Sequence, residues 1–408
     1  MSDTLVKSRL VFNFQGFEGS SSDMLLGRVN YCAQKTADLW DISLDVTAIK
    51  HHEHDSYSDD ILLSEGEDWA VETRFIQPSF GDILLPYYER FDPKTIISNI
   101  VKLAGFIFDG TLFKYYRYST LFGSFLTFPI GFTALFAGLA YYMSSFLFTF
   151  VGLSGLFYAT GVAISSVLIF FGLYIWPGHK FYYPLSMGLW GYTRDVAAQK
   201  SIKTETRCDA FAKLMITEIE AKDYDEIIFV GQSFGSVWGP MALSRALKQR
   251  PKLLEGKRVT FIMLGGLINM LSLMRQADFF REIMKQLLEV KEIFWHDFQC
   301  KDDPVHFYKT DVFEILNLGK PPSGYQISRV NFKHSMVLKR YRKMKKSIYD
   351  THRQYGLYQD KCISFDYFLR VLGPCFAQVI ANDPAKTQAI NVNKEVIIQD
   401  NVIVSGST

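Results

Sequence analysis

The residues with the clearest capacity for chemistry are Gly231-Gln232-Ser233-Phe234-Gly235. A serine hydroxyl is a weak nucleophile until a neighbouring base takes its proton and the backbone presents it in the open. Residues 225–236 supply a setting for that. The short apolar run 226–230 reads as a strand, and a helical pattern over about 234–248 follows it at once. A strand entering Gly-x-Ser-x-Gly and a helix leaving it is the context of a nucleophile elbow. In so tight a turn the residues two before and two after the serine must be nearly free of side chain. Gly231 and Gly235 meet that demand, and Ser236 adds another small residue. Ser233 is therefore the candidate nucleophile, and the chemistry it suggests is attack on a carbonyl carbon. The bland reading is a strand–helix turn without catalytic consequence.

Such a turn needs a sheet to stand on. Before it, residues 9–14 read as a strand, 16–22 as a Gly- and Ser-rich loop, about 23–39 as a helix, and 43–49 and 71–76 as further strands. Apolar residues at helical spacing (Phe211, Leu214, Met215, Ile219) predict a helix over about 205–222. After the turn come a strand at 258–264, a helix near 277–290 and a strand at 292–298. Strands alternating with helices point to an α/β fold with a mainly parallel sheet and flanking helices.

In this pattern the chain resembles the α/β-hydrolase superfamily over about 9–98 and 185–373. That family orders its catalytic groups Ser, Asp, His along the chain. The resemblance implies an acid in Asp302-Asp303-Pro304-Val305, just past the strand 292–298. Asp303 fits best, with Asp302 and Asp297 as alternatives. It implies a histidine further on, and His334 is expected to fill that role, with His352 as its main competitor. His51, His52 and His54 lie in a polar acidic stretch read as a solvated loop. His179, His296 and His306 are poorly placed for the role. Ser233 would attack, His334 would shuttle the proton and Asp303 would orient the ring. Backbone N–H groups of Phe234 and Phe17, the latter in Phe14-Gln15-Gly16-Phe17, are the expected oxyanion donors. Gln15 and Gln232 stand where many family members carry His. The implied activity needs no cofactor or metal.

A second feature sets this chain apart from a soluble enzyme. The 61 residues from Tyr118 to Gly178 contain no Asp, Glu, Lys or Arg. A spanning helix takes about 20 apolar residues, so two spans are expected, near 120–141 and 150–176, with Ala134 and Gly138 letting the pair approach closely. Tyr and Trp cluster at both ends of the hairpin, as rings do at the membrane interface. Lys102, Lys114 and Arg117 precede it and Lys180 and Arg194 follow it, which predicts a cytoplasmic body. The expected organisation is a hydrolase domain in two parts, 1–98 and 185–380, interrupted by a membrane insertion at 99–184. A tail at 381–408 follows, in which 395–398 and 402–404 could pair.

Composition agrees. Hydrophobic residues reach 48% and aromatics 15%, while 44 basic against 42 acidic residues leave a formal charge of +2. That balance gives no reason to expect nucleic acid as partner. Five widely spaced cysteines with no Cys-x-x-Cys argue against a disulfide framework or zinc site. The expected partners are the bilayer and a hydrophobic or amphiphilic ester. Against the membrane-anchored serine esterase stand a catalytically inactive, partner-binding relative and, more weakly, a channel component.

Overall fold

The computed structural model describes residues 5–89 and 91–399. They divide into two compact units, Met1–Ile83 with Ile202–Thr408, and Leu84–Ser201. The first unit opens with β1 (Ser8–Phe14), α1 (Ser22–Trp40), β2 (Ser43–Val46), β3 (Lys50–His52), β4 (Tyr57–Glu65) and β5 (Ala70–Pro78).

The second unit carries α2 (Pro93–Phe108), α3 (Thr111–Tyr118), α4 (Thr120–Phe150), α5 (Gly155–Ile175) and α6 (Tyr183–Ala197). Helices α4 and α5 are both long and apolar enough to cross a membrane, with mean hydropathy of 1.6 and 2.0 over their most apolar windows. At 1.5 Å per residue α5 measures about 32 Å, close to the hydrocarbon thickness, and α4 exceeds it. The hairpin closes differently from expectation. Ala134 and Gly138 face outward, and a Cβ added at Gly138 meets nothing within 4 Å. The buried positions of α4 over the same stretch and beyond it are Phe136, Ala140 and Ser144, after Phe122, Gly123, Leu126 and Pro129 earlier in the helix. On α5, Gly161 admits the Phe148 ring, and Ser145 Oγ lies 2.6 Å from Tyr158 Oη. The unit is also wider than the 99–184 expected. Four of its charged residues outside the hairpin form two ion pairs, Arg194 with Asp109 at 2.7 Å and Lys102 with Asp195 at 2.6 Å.

The first unit resumes with α7 (Ile202–Ala221), β6 (Glu226–Gln232), α8 (Gly235–Gln249), β7 (Val259–Leu264), α9 (Asp278–Leu288), β8 (Ile293–Cys300), β9 (Tyr325–Val330) and α10 (Ile348–Arg353), with further short helical segments between, among them the helix Leu338–Met344. Its mixed, mostly parallel sheet runs β2-β4-β5-β1-β6-β7-β8-β9, with β3 on β4. Strands β5, β1, β6, β7, β8 and β9 are mutually parallel, and β4 is antiparallel to β5. All positions of β6, β7 and β8 are buried; β6 and β7 accordingly read as near-continuous apolar runs, while β8 buries His296, Asp297 and Gln299 among its apolar residues.

Alternation still sorts the two faces. Register partners Phe12, Phe229, Phe261 and Trp295 stack across four strands with centroids 5.4, 6.1 and 4.6 Å apart. Their neighbours Val11, Ile228 and Ile262 face the other way. They pack with Leu26, Val29, Ala33, Ala37 and Trp40 of α1 in one core, the α1 set recurring at helical spacing. Fully buried Arg9 of β1 is 2.8 Å from Glu226 of β6 and donates to the carbonyls of Val371, Gly373 and Cys375. That network ties the chain's later part to the sheet.

Strand β4 was not foreseen. Of the stretch expected to be a solvated loop, His51 and His52 belong to β3, while Glu53 and His54 lie in the exposed turn after it. His52 Nε2 is 2.7 Å from Asp59 and His51 Nδ1 is 2.9 Å from Ser58 Oγ. In the tail, Ile397 makes an isolated bridge with Ile363, and 402–404 lie outside the described residues.

Asp60 of β4 is almost fully buried and accepts from Asn30 Nδ2 at 2.6 Å. Its other oxygen and Asn30 Oδ1 have no partner among the described residues. Burial pushes its pKa up to about 6 against the pull of the Asn30 hydrogen bond. The folded-state pKa thus lies above that of the unfolded chain, so folding favours the protonated acid. This contribution is whole below about pH 4 and is lost as pH rises through about 6. Asp60→Asn, neutral throughout, should gain on the order of 2 kcal/mol over the parent at pH 8 and almost nothing at pH 4. Equilibrium unfolding in detergent at the two pH values measures it, and an equal gap at both rejects the argument.

Candidate active site

Strand β6 delivers Ser233 to the carboxyl end of the sheet, where α8 begins. The backbone there is sharply turned: Ser233 has φ of 53°, in the left-handed region that a side chain normally avoids. Strain of this kind persists only where the surroundings over-determine it. Here Ser233 N donates to Leu264 O at 3.1 Å, and Ser233 O accepts from Ser236 N at 3.1 Å and Ser236 Oγ at 2.6 Å. Ser236 Oγ in turn accepts from Leu267 N at 2.7 Å, so the elbow is pinned to the loop after β7.

The glycines are required by distance. A Cβ at Gly235 would fall 1.9 Å from Phe14 O, and one at Gly231 2.5 Å from Ser236 Cα. Gly16, in the loop leaving β1, passes so close that a Cβ there would lie 2.8 Å from Ser233 Cβ and 3.3 Å from Ser233 Oγ. The loop expected to supply an oxyanion donor therefore does run beside Ser233. Phe17 and Phe234, the two residues named for that role, have ring centroids 6.5 Å apart, and both are buried.

Asp303 is fully buried in the turn after β8. Its Oδ1 accepts from Val305 N at 2.9 Å, and its Oδ2 lies 2.7 Å from His352 Nδ1 and 3.3 Å from His306 Nδ1. Burial alone would raise its pKa, but the two imidazoles and their hydrogen bonds outweigh it and hold the carboxyl well below the usual carboxylate range. Of the other acids, Asp302 takes Tyr341 Oη at 2.8 Å and Lys345 at 3.2 Å. Asp297, on β8 itself, accepts from Gln299 Nε2 at 2.8 Å, and burial pushes it up to about 6.

The histidines that reach Asp303 are His352 of α10, at the shorter distance, and His306; His334 is not among them. His334 follows β9 by four residues on a short helix, Phe332–Ser335, whose buried positions are Phe332 and Ser335; that leaves Lys333 and His334 exposed. The chain needs a further stretch before α10 turns back. A local signal marks that restart: Ser347 Oγ accepts from Asp350 N, capping a new helix after the basic run ends. His352 Nε2 is buried and has no partner among the described residues. Two contacts bracket His352 and Ser233. Gln232 Nε2 donates to Arg353 O at 3.2 Å, and a Cβ on Gly265, one residue past Leu264, would lie 3.1 Å from His352 Cε1.

Glu18, unremarked in the sequence, joins these parts. It is hydrogen-bonded by Arg28 of α1 and by Tyr349 Oη at 3.4 Å, and Arg353 Nη2 lies 3.9 Å away. The loop beside Ser233 and the helix bearing His352 are thus held to one carboxylate. The five cysteines are buried and free. Among the described residues no three His, Cys, Asp or Glu side chains gather as a metal site. Compared with models of protein families, with curated proteins and with solved structures, the chain matches none.

Because Gly235 meets a backbone carbonyl rather than a movable side chain, Gly235→Ala should destabilise the first unit by about 1–3 kcal/mol or more. Gly138→Ala, whose added carbon meets nothing, should leave stability unchanged or raise it by up to about 1 kcal/mol. Unfolding of the two variants in detergent makes the comparison; a Gly235→Ala protein as stable as Gly138→Ala would contradict the close approach.

Proposed function

We propose that the chain is a membrane-anchored serine hydrolase of the α/β-hydrolase kind, cleaving a carboxylic ester through Ser233, His352 and Asp303. The observation that carries this is the strained Ser233 elbow beside a buried His352–Asp303 pair whose Nε2 is unpartnered. Ser233 Oγ bonds to the ester carbonyl carbon as its proton passes to His352 Nε2. The ester C–O bond then breaks, and the alcohol leaves with that proton. Water, deprotonated by the same nitrogen, releases the acid and restores the serine. Asp303 keeps the imidazole in the Nδ1–H tautomer and offsets its charge when protonated. The amides of Phe234 and Phe17 are the proposed donors to the tetrahedral oxyanion, each worth on the order of 3 kcal/mol in the barrier.

The substrate class follows from connectivity. Between β5 and β6 the chain leaves the sheet for two helices of membrane-spanning length, so the catalytic unit is tethered to a bilayer at both ends of the insertion. That favours a lipid or other amphiphilic ester over a freely diffusing one. Lys102, Lys114, Arg117, Lys180 and Arg194 on the flanks favour a cytoplasmic catalytic unit.

Labelling of the detergent-solubilised full chain by a fluorophosphonate probe tests the assignment. Ser233→Ala should abolish labelling, and His352→Ala should slow it by about 10⁴-fold or more. His334→Ala should label like the parent. Labelling that survives Ser233→Ala, or that His334→Ala lowers as far as His352→Ala does, would overturn it.

A further inference from the structure

The charge of this chain is unevenly placed. Residues 333–346 hold seven Lys and Arg and no acid, and without these seven the formal charge of +2 becomes −5. Two are committed within the fold: Arg340 pairs with Asp360 at 2.7 Å and Lys345 with Asp302 at 3.2 Å. The other five, Lys333, Lys339, Arg342, Lys343 and Lys346, are exposed and have no ion pair among the described residues. Aliphatic side chains stand exposed in the same segment: Val337 at 52%, Leu338 at 50% and, just beyond it, Ile348 at 49%.

Three kinds of surface would hold such cations. A merely solvated helix face intersperses acids three or four residues from its bases, and this one has none. A single-stranded nucleic-acid surface pairs its cations with aromatic platforms for base stacking; here the run holds no Phe or Trp, its single Tyr, Tyr341, is only partly exposed with its hydroxyl engaged by Asp302, and one small imidazole, His334, is the only exposed ring in it. Cations interleaved with exposed aliphatics fit the boundary between anionic headgroups and acyl chains. A bilayer is the natural environment of a chain with two helices of spanning length.

We propose that residues 333–348 form a docking surface for anionic phospholipid, in which the five unpaired cations meet headgroup phosphates and carboxylates while Val337, Leu338 and Ile348 enter the acyl boundary. The segment joins β9 to α10, so lipid contact would bear directly on the stretch that leads to His352. The surface is independent of the ester chemistry and stands whether or not Ser233 reacts.

An environment-sensitive fluorophore on Leu338→Cys reports the contact, since the five native cysteines are buried. The full-length protein is reconstituted in vesicles of phosphatidylcholine alone or with phosphatidylserine. Emission should shift to the blue with phosphatidylserine. It should return when 1 M salt cuts the screening length to about 3 Å, and the shift should be absent in the Lys343→Glu/Lys346→Glu protein. The salt arm alone decides if circular dichroism shows that double variant misfolded. The same emission in both lipids, or a blue shift indifferent to salt and to charge reversal, overturns the proposal. So does a shift in phosphatidylcholine vesicles on adding soluble RNA that matches the one from phosphatidylserine.

Discussion

The constraint on which the rest of this structure depends is the contact between the exit of β1 and the start of α8. Phe14 O occupies the space in which a side chain at position 235 would stand, and Gly16 lies against Ser233 itself. Two turns far apart in the chain, one from each of two adjacent parallel strands, are forced into the same small volume. Ser233 can take its left-handed φ because hydrogen bonds from Ser236 and to Leu264 hold the turn from both sides.

That tight corner needs a stiff platform, and the sheet provides one by giving its faces different chemistry. The aromatic series from Phe12 to Trp295 runs perpendicular to the strands and links β1, β6, β7 and β8 through ring contacts in register. Aliphatic residues on the opposite face pack on α1. At the far end of β1 and β6, Arg9 and Glu226 are buried together and satisfied by backbone groups from residues 371–377. Such a pair adds little over an apolar substitute, but leaving one partner unmatched costs about 3–5 kcal/mol. Its effect is to fix which carbonyls the later chain must present, and therefore where that chain runs.

Much of this was legible in the sequence, because the apolar strands, the glycines around Ser233 and the charge-free run announce themselves locally. What was hidden depended on partners distant in sequence. Strand β4 carries Ser58, Asp59, Asp60 and Ser64 at buried positions, so it lacks the apolar alternation that marks a strand; its polar groups are met by Asn30, His51, His52 and Arg74. The second unit extends beyond its charge-free core and includes the ion pairs Asp109–Arg194 and Lys102–Asp195, a pairing that no window of composition reveals. On the hairpin, small size alone did not identify the contact: Gly161 receives a neighbour's ring while Gly138 faces outward.

The choice of histidine shows the same limit most sharply. Spacing favoured His334, yet proximity along the chain says nothing about which side of a helix faces inward. Two histidines do approach Asp303, and their outer nitrogens separate them. His306 Nε2 accepts from Cys300 N at 3.2 Å, which puts its hydrogen on Nδ1, toward Asp303, and leaves that ring no nitrogen for a substrate. His352 makes the shorter contact with the carboxylate and keeps Nε2 unpartnered among the described residues. One ring is thereby a second support for the acid, and the other is the ring with a nitrogen left to accept a proton. The assignment of His352 in the proposed mechanism rests on that difference, which only the folded arrangement of Cys300, Asp303 and α10 creates.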